Sequence, residues 1–279
     1  MLNINSNKFL QHSLLVVFVF AHGNSWAMTE KSQSVCENGQ GSTKSGWEVE
    51  SYKKDANQGN ADAQYSMGWL YSYGQYGLAK DDRKAVGWYQ KAANQGYAPA
   101  QNNLGLAYQW GYGIEKKIEE AVRLYQLAAE QNAPYAQCNL GYCSEHGYGI
   151  EQNLDKAIQL NILAANQGYI EAQFNLGVYY RFGRGIESDE VEAIRMFDLA
   201  AKQKHVLAQN LLSPTSEITN EEKEFKDTAI CLYYLAFYER NAEAANSLGD
   251  MYHNGVGVSK NLEEAKRWYE LAADSCAVV

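Results

Sequence analysis

Two short segments near the N-terminus contain residue types used by serine acyl enzymes. Residues 51–54 (S-Y-K-K) match the pattern S-x-x-K, and residues 44–46 (K-S-G) resemble K-T-G. The segments stand in the wrong order, and no S-D-N segment accompanies them. We therefore interpret both as chance matches and predict no catalytic residue.

Metal and phosphate chemistry have no better support in the sequence. The five histidines show no metal-ligand spacing, and His146 and His253 stand alone on predicted helix faces. No G-x-x-x-x-G-K loop is present, and the glycines of residues 111–113 (G-Y-G) are typical of a structural turn. We expect no cofactor, no metal and no enzymatic activity.

The elements that would position any site repeat with a period of 36 residues. Two columns of alanines, each holding equivalent positions of successive repeats, show this period. They are Ala100, Ala136, Ala172, Ala208 and Ala244, and Ala121, Ala157, Ala193, Ala229 and Ala265. A fixed period of this length predicts stacked copies of one structural unit.

Each copy reads as two helices joined by a glycine turn. Apolar and small residues at positions 100, 104, 105 and 108, and then at 121, 124, 125, 128 and 129, lie on one face of each helix. The second helix is predicted to begin after an N-cap whose side-chain oxygen binds free backbone N–H groups. The caps are Asp81, Asn153, Asp189 and Asn261, whereas Lys117 and Phe225 break this column.

These residues carry a family resemblance. The pattern A-x-x-x-L-G-x-x-Y-x-x-G-x-G-[IV], followed by A-x-x-x-[YF]-x-x-A-A-x-x-G, resembles the Sel1-like repeat, a relative of the tetratricopeptide repeat, from about Ala61 to Ala273. The resemblance implies an all-α fold, a right-handed α-solenoid, that acts as an adaptor for protein complexes. Bacterial members are often exported.

The remaining chain divides around the repeats. Residues 1–27 are predicted to be a signal peptide, with Lys8, an apolar run over residues 14–20 and the cleavage site at residues 25–27. The apolar run is too short to span a membrane. We expect a flexible tail over 28–45, an N-terminal cap helix over 46–59 and a six-repeat solenoid over 60–276. The first full repeat carries one extra residue, predicted to lie between Tyr73 and Lys80.

The fifth repeat, residues 205–240, departs from the pattern. Ser213 replaces the helix glycine, Pro214 follows within the expected first helix, and Thr219 and Glu221 replace the turn glycines. Pro214 should shorten that helix, because proline removes a hydrogen bond and clashes with the preceding turn. The repeat is either decayed but still stacked, or locally open in a way that shapes a binding site.

Outward positions of the first helices are the candidate partner-binding residues, because in tetratricopeptide-like stacks these helices line the concave face. Trp69 and Tyr142 are expected to be the more exposed, while Tyr73, Trp110 and Phe182 could equally pack under neighbouring turns. The candidates are Tyr65, Trp69, Tyr73, Asn102, Trp110, Tyr142, His146, Phe174, Arg181 and Phe182.

Charge and cysteine content reduce the number of functions and partner classes to consider. A formal charge of -9 without basic clusters argues against nucleic acid or anionic lipid as the main partner. The cysteine-rich relatives, which are linked to β-lactam binding, have a regular pair of cysteines in each repeat, and the five cysteines of this chain do not follow that pattern. Cys138 and Cys143 cannot readily form a disulfide with each other. Cys231 is expected to be partly exposed.

We therefore predict a monomeric, exported, non-catalytic scaffold that binds a protein or peptide in its concave groove. It would lie in the periplasm or be secreted, and it would have no nucleic-acid partner and no membrane span. The alternatives are a β-lactam-binding or β-lactamase-like envelope hydrolase, and a secreted virulence factor that contacts host proteins.

Overall fold

The computed structural model describes residues 45–212, 220–238 and 241–276, and every regular element in these ranges is an α-helix. The described residues group into two compact units. The N-terminal unit holds residues 45–140 and 147–151, and the C-terminal unit holds 141–146 and the described residues from 152 onwards. The predicted signal peptide and almost all of the predicted tail lie outside the described residues.

Six helices begin in the N-terminal unit, and the last of them also supplies residues to the C-terminal unit. They are α1 (Ser45–Asn57), α2 (Ala61–Tyr73), α3 (Asp82–Asn94), α4 (Ala98–Trp110), α5 (Ile118–Glu130) and α6 (Pro134–His146). The C-terminal unit continues with α7 (Leu154–Asn166), α8 (Ile170–Phe182), α9 (Glu190–Lys202), α10 (Val206–Leu212), α11 (Asn220–Tyr238), α12 (Ala242–Asn254) and α13 (Leu262–Cys276). Within each unit successive helices pack against each other, which confirms the predicted fold class of stacked helix pairs.

The predicted helix ends are confirmed. Gly111 follows α4 with φ +78, in the left-handed region that glycine adopts without steric cost. At the start of the second helices, Asn153 Oδ1 accepts from the backbone N–H of Lys156 at 2.8 Å, and Asp81 accepts from that of Lys84 at 3.0 Å. Lys117 makes no side-chain cap bond, as expected for a side chain without an oxygen acceptor.

A glycine and an aromatic ring hold the two helices of a repeat together. A Cβ atom at Gly105 of α4 would lie 2.7 Å from Cε1 of Tyr125 on α5, so only glycine lets the ring pack against the helix backbone. The same contact joins Gly68 to Tyr89, Gly177 to Phe197 and Gly249 to Tyr269. The small residues of this column therefore set how closely the paired helices approach.

Paired glutamines fasten the other end of the helix pair, and the sequence analysis did not identify them. Gln95 Nε2 donates to Gln64 Oε1 at 2.8 Å, linking the residue after α3 to the start of α2. Gln131 with Gln101 and Gln203 with Gln173 repeat this bond at the same distance. We name these contacts the glutamine clasps.

The first repeat and its flank match the sequence pattern. The segment from Gly74 to Asp81 is one residue longer than the equivalent segment from Gly111 to Lys117, so the extra residue lies in the predicted turn. Before this repeat, α1 packs Val49 and Ala56 into a cluster with residues of α2. None of the described helices is long and apolar enough to cross a membrane.

The fifth repeat differs in both of its helices. The described part of α10 has 7 residues and ends at Leu212, and Pro214 lies outside the described residues. Helix α11 has 19 residues where other second helices have 13 or 15, so Phe225 lies inside the helix and not at its N-cap. The repeat is present, but its helices have different lengths from the others.

Candidate protein-interaction surface

Four of the predicted partner-binding residues are buried, which contradicts the expected open groove at these positions. Tyr65 is 2% exposed, Asn102 5%, Tyr142 2% and Phe174 0%. Residues of neighbouring elements cover them, and the periodicity alone did not reveal this cover. The expectation that Tyr142 would be one of the two best-exposed aromatic residues was wrong.

In the N-terminal unit the cover comes from the adjoining helices. The ring of Tyr65 lies 5.8 Å from that of Tyr89 and 5.6 Å from that of Tyr97, the residue that precedes α4. Asn102 Oδ1 accepts from Asn139 Nδ2 at 2.7 Å, so successive first helices share a buried hydrogen bond. Tyr65 and Asn102 are therefore core residues.

In the C-terminal unit Phe174 lies at the centre of an aromatic cluster. The imidazole of His205 stacks on its ring at 4.3 Å, and the rings of Phe197 and Tyr233 lie at 5.6 and 5.3 Å. Tyr234 completes the contact from α11 by donating its hydroxyl to Asn175 Oδ1 at 3.0 Å. Tyr233 and Tyr234 thus connect the fifth repeat to α8.

Tyr142 and His146 form a second internal pair. Their rings lie 4.7 Å apart, and His146 Nδ1 is 2.9 Å from the carbonyl oxygen of Tyr142. Burial lowers the pKa of His146 to about 3, with a smaller effect from the Arg184 cation. His146 is therefore neutral at physiological pH, and its role here is packing.

Arg181 is also engaged within the chain. Its side chain is only 11% exposed, and its Nη2 atom lies 3.0 Å from Asp227 Oδ1, with Glu190 Oε1 3.5 Å from Nη1. Burial raises the pKa of Asp227, an effect that the Arg181 cation partly offsets. The ion pair joins α8 to α11 and leaves little of the guanidinium free for a partner.

A buried carboxylate beside Arg184 was missed by the sequence analysis. Glu145 is 3% exposed, accepts from the Tyr179 hydroxyl at 2.7 Å and lies 2.8 Å from Arg184 Nη2. Burial raises the pKa of Glu145, although the Arg184 cation and the Tyr179 hydrogen bond act in the opposite direction. Arg184 lies in the turn after α8, where the two preceding repeats carry Tyr112 and Tyr148, so the exchange of tyrosine for arginine was the available signal.

Two adjacent aromatic residues of the first repeat remain accessible. Tyr73 is 50% exposed, and its ring lies 4.9 Å from the indole of Trp69, which is half-buried. We call Trp69 and Tyr73 the aromatic pair. Trp110 and Phe182 are half-buried at the corresponding ends of α4 and α8. Of the ten candidates, the aromatic pair offers the most accessible apolar surface.

The described residues that match a serine-enzyme pattern lie on the surface and not in an enclosed site. Ser51 and Lys54 are exposed on α1, and within the described ranges no group of His, Cys, Asp and Glu has the arrangement of a metal site. Lys44 lies outside the described residues. Cys138 and Cys143 are buried thiols that form no disulfide with each other, and Cys231 is a half-buried thiol, as expected.

Comparison with known proteins adds a family assignment. The Sel1 repeat model matches residues 61–97, 98–132, 134–169, 170–205 and 242–275, leaving residues 206–241 unmatched. A Sel1 repeat protein from Oxalobacter formigenes is 31% identical, with a TM-score of 0.55 over 81% of this chain and 93% of that one. No curated protein matches the chain.

A second solved structure is a longer protein. The antigen c5321, described as protective and present in uropathogenic Escherichia coli strains, is 29% identical with a TM-score of 0.54. The match covers 81% of this chain but only 48% of that protein, so this chain spans about half its length. With five matched repeats and the Oxalobacter relative, the chain belongs to the Sel1 repeat family.

Proposed function

We propose that this chain is an exported, non-catalytic adaptor that binds a protein or peptide through the aromatic pair of its first repeat. Sel1 repeat proteins are generally protein-interaction scaffolds. The observation that supports this particular surface is the tilted contact of the Trp69 and Tyr73 rings, whose centres lie 4.9 Å apart, with half of Tyr73 exposed. Aromatic rings held in place by packing are common anchors of protein interfaces.

The surroundings of the aromatic pair suit a mixed apolar and polar ligand. Trp69 belongs to a cluster with Tyr71, Leu78 and Trp88, so its indole is held by the core of the repeat. Lys84 Nζ lies 5.4 Å from the ring centre of Tyr71, in the same cluster, and 2.9 Å from Asp81 Oδ2, so the nearest polar group is an exposed ion pair. A peptide with an apolar side chain and a polar group beside it would match both features.

The aromatic pair can be tested with a double variant and a control variant at another exposed aromatic residue. Trp69→Ala/Tyr73→Ala and the control Tyr148→Ala, an aromatic residue 41% exposed in the same unit, would be used as baits with envelope extract and host-cell lysate. Candidate partners would then be purified and their affinities measured. We expect the double variant to weaken binding about tenfold or more, with the control unchanged.

Thermal unfolding must accompany these measurements, because Trp69 is partly packed. Trp69→Phe keeps an aromatic ring in the cluster and should retain most of the binding. Full affinity in a folded double variant would refute the aromatic pair as the binding surface. Binding to a host protein alone would support the virulence-factor alternative, which the likeness to the E. coli antigen favours.

Export is the second part of the proposal and has its own test. Lys8, the apolar residues 14–20 and the small residues at 25 and 27 are the features that support a cleaved signal. Expression in a bacterium followed by N-terminal sequencing should give a protein beginning at Met28 in the periplasm or medium. An intact Met1 N-terminus on a cytoplasmic protein would contradict export.

A further inference from the structure

In the regular repeats, each glycine turn lies on the second helix of the repeat before it. In the N-terminal unit, Gly149 would place a Cβ atom 3.0 Å from the backbone of Ile118, at the start of α5. In the C-terminal unit, a Cβ atom at Gly185 would lie 2.6 Å from Leu154 Cδ2 and 2.9 Å from Ile158 Cδ1 on α7. Gly257 makes the same approach to Phe225 of α11.

This contact accompanies the burial of one aliphatic column of the second helices. Val122 is 3% exposed, Ile158 6% and Ile230 0%, while Val86 of the first repeat is half-buried and the last repeat has the exposed Lys266 at this position. Ile194 of α9 occupies the same column, one period after Ile158, but it is 48% exposed. The repeat that follows α9 is the fifth, whose sequence has Thr219 and Glu221 in place of the two turn glycines.

A second exposed aliphatic side chain lies beside Ile194. Val191 is 75% exposed and precedes Ile194 by three residues, so the two side chains share one face of α9. The equivalent positions in the other repeats are all charged: Arg83, Glu119, Asp155, Asp227 and Glu263. We call Val191 and Ile194 the α9 ledge. Unlike a singly exposed residue such as Leu163, the two side chains together form a small apolar patch on one helix face.

The charges around the ledge indicate the chemistry of its partner. Residues 187–192 (E-S-D-E-V-E) contain four carboxylates and no basic residue. Arg195 is paired with Glu192 at 2.8 Å, and Arg181 lies nearest to Asp227 at 3.0 Å. Helix α11 is also nearby, because the pKa of its Asp227, which burial raises, is raised further by the charge of Glu190. Residues 222–226 of α11 include two acidic residues, Glu222 and Glu224, and two basic residues, Lys223 and Lys226. The surface around the ledge is therefore net acidic.

We infer that the α9 ledge binds a partner polypeptide that presents an aliphatic side chain flanked by lysine or arginine. The aliphatic side chain would cover Ile194 as the turn at Gly185 covers Ile158, and would extend over Val191, while the cations would meet the carboxylates of residues 187–192. A second copy of this chain fits poorly, because two acidic ledges would face each other. This surface belongs to the C-terminal unit and is independent of the aromatic pair, so either proposal can fail alone.

The test uses four classes of short peptides and three forms of the full chain. Each peptide carries one Ile, or Ala in its place, flanked by Lys or by Glu. The chain is used unchanged, as Val191→Asp/Ile194→Asp, and as Leu163→Asp, the control at a 50% exposed leucine of α7 in the same unit. Fluorescence anisotropy then gives each affinity, size-exclusion chromatography reports self-association, and thermal unfolding reports stability.

We expect only the peptides with Ile and Lys to bind, with affinity reduced about tenfold or more in the ledge variant and unchanged in Leu163→Asp. Equal binding of the Ala and Ile peptides, equal loss in both variants, or no binding by any class would overturn the inference. Self-association abolished by the ledge variant would identify a second copy as the occupant. A much lower melting temperature for the ledge variant than for Leu163→Asp would show that the chain covers its own ledge.

Discussion

The second and fifth repeats use the same aromatic position in different ways. In the second repeat, Tyr125 of α5 packs on Gly105 of its own partner helix, and its hydroxyl donates to Gln109 at 2.6 Å. In the fifth repeat, the ring of the equivalent Tyr233 lies 5.5 Å from that of His205 in its own repeat, and it also reaches other repeats, at 5.3 Å from Phe174 and 5.5 Å from Trp268. A repeat that has lost its glycine can therefore keep its place through contacts with its neighbours.

The comparison also separates two roles of glycine. The helix glycine lets two helices of one repeat approach closely, whereas the turn glycine lets one repeat cover the helix of the preceding one. The fifth repeat lacks both glycines in its sequence, and Ile194, in the repeat before it, is 48% exposed where Ile158 is 6% exposed.

The strongest way to break the regular arrangement is Gly105→Ala. Because the new Cβ would lie 2.7 Å from the Tyr125 ring, the ring must move, and we expect the free energy of unfolding to fall by about 1–3 kcal/mol. Gly87→Ala is the matched control, since its Cβ meets nothing within 4 Å in α3 and should add about 0.5–1 kcal/mol. Equal effects of the two substitutions in urea unfolding would show that close helix approach is unimportant.

Protonation of His205 should reveal how the fifth repeat is held. Burial lowers the pKa of His205 to about 4, below its ordinary value near 6.5, so protons bind the unfolded chain more readily. The stabilisation is complete above about pH 6.5 and is lost as the pH falls towards 4. The variant His205→Tyr copies Tyr97 and Tyr169, which hold the same position in other repeats. Between pH 7 and 5, this variant should lose about 1–2 kcal/mol less of its free energy of unfolding than the unchanged chain.

Urea unfolding across this pH range would measure the difference, with His205→Asn as a smaller variant in case tyrosine does not fit. His253→Tyr, at an exposed histidine of α12, is the control and should leave the profile unchanged. The same pH profile in all three variants and the unchanged chain would mean that His205 is not held neutral by the aromatic cluster.

The smallest effect concerns the helix start that distinguishes the second repeat from its neighbours. Lys117→Asn would supply the missing N-cap oxygen of α5, and we expect the free energy of unfolding to rise by about 1 kcal/mol. Asn153→Lys removes the N-cap bond of α7 and should lower the free energy of unfolding by a similar amount. The ion pair of Lys117 with Glu115 is exposed and contributes little. Differential scanning calorimetry would measure both, and a loss on Lys117→Asn would contradict the capping argument.

The sequence predicted the parts of the fold that depend on local chemistry. The period, the glycine turns and caps such as Asn153 and Asp189 follow from backbone conformation and short-range hydrogen bonds, and the structure has them where they were expected. The burial of Tyr142 and Phe174 could not be read in this way. It depends on how closely successive helices pack, which the contacts of Phe174 with His205 and Tyr233 reveal.

The candidate surfaces show the same division. From the sequence, the fifth repeat was either decayed but still stacked or locally open, and Pro214 lies outside the described residues. The exposed pair Val191 and Ile194 lies in α9 of the preceding repeat, and the glycine turns of the regular repeats likewise cover the helix of the preceding repeat and not their own. That geometry links residues about one repeat apart and has no signature in the local pattern.

The glutamine clasps have a consequence for local unfolding of the chain. Each clasp ties the end of a second helix to the start of the first helix of the same repeat, as Gln95 does with Gln64. Together with the glycine contact near the turn, it closes the hairpin at both ends. Thermal opening should therefore run along the joints between hairpins, and amide protons of one hairpin should exchange with solvent as a single cooperative group.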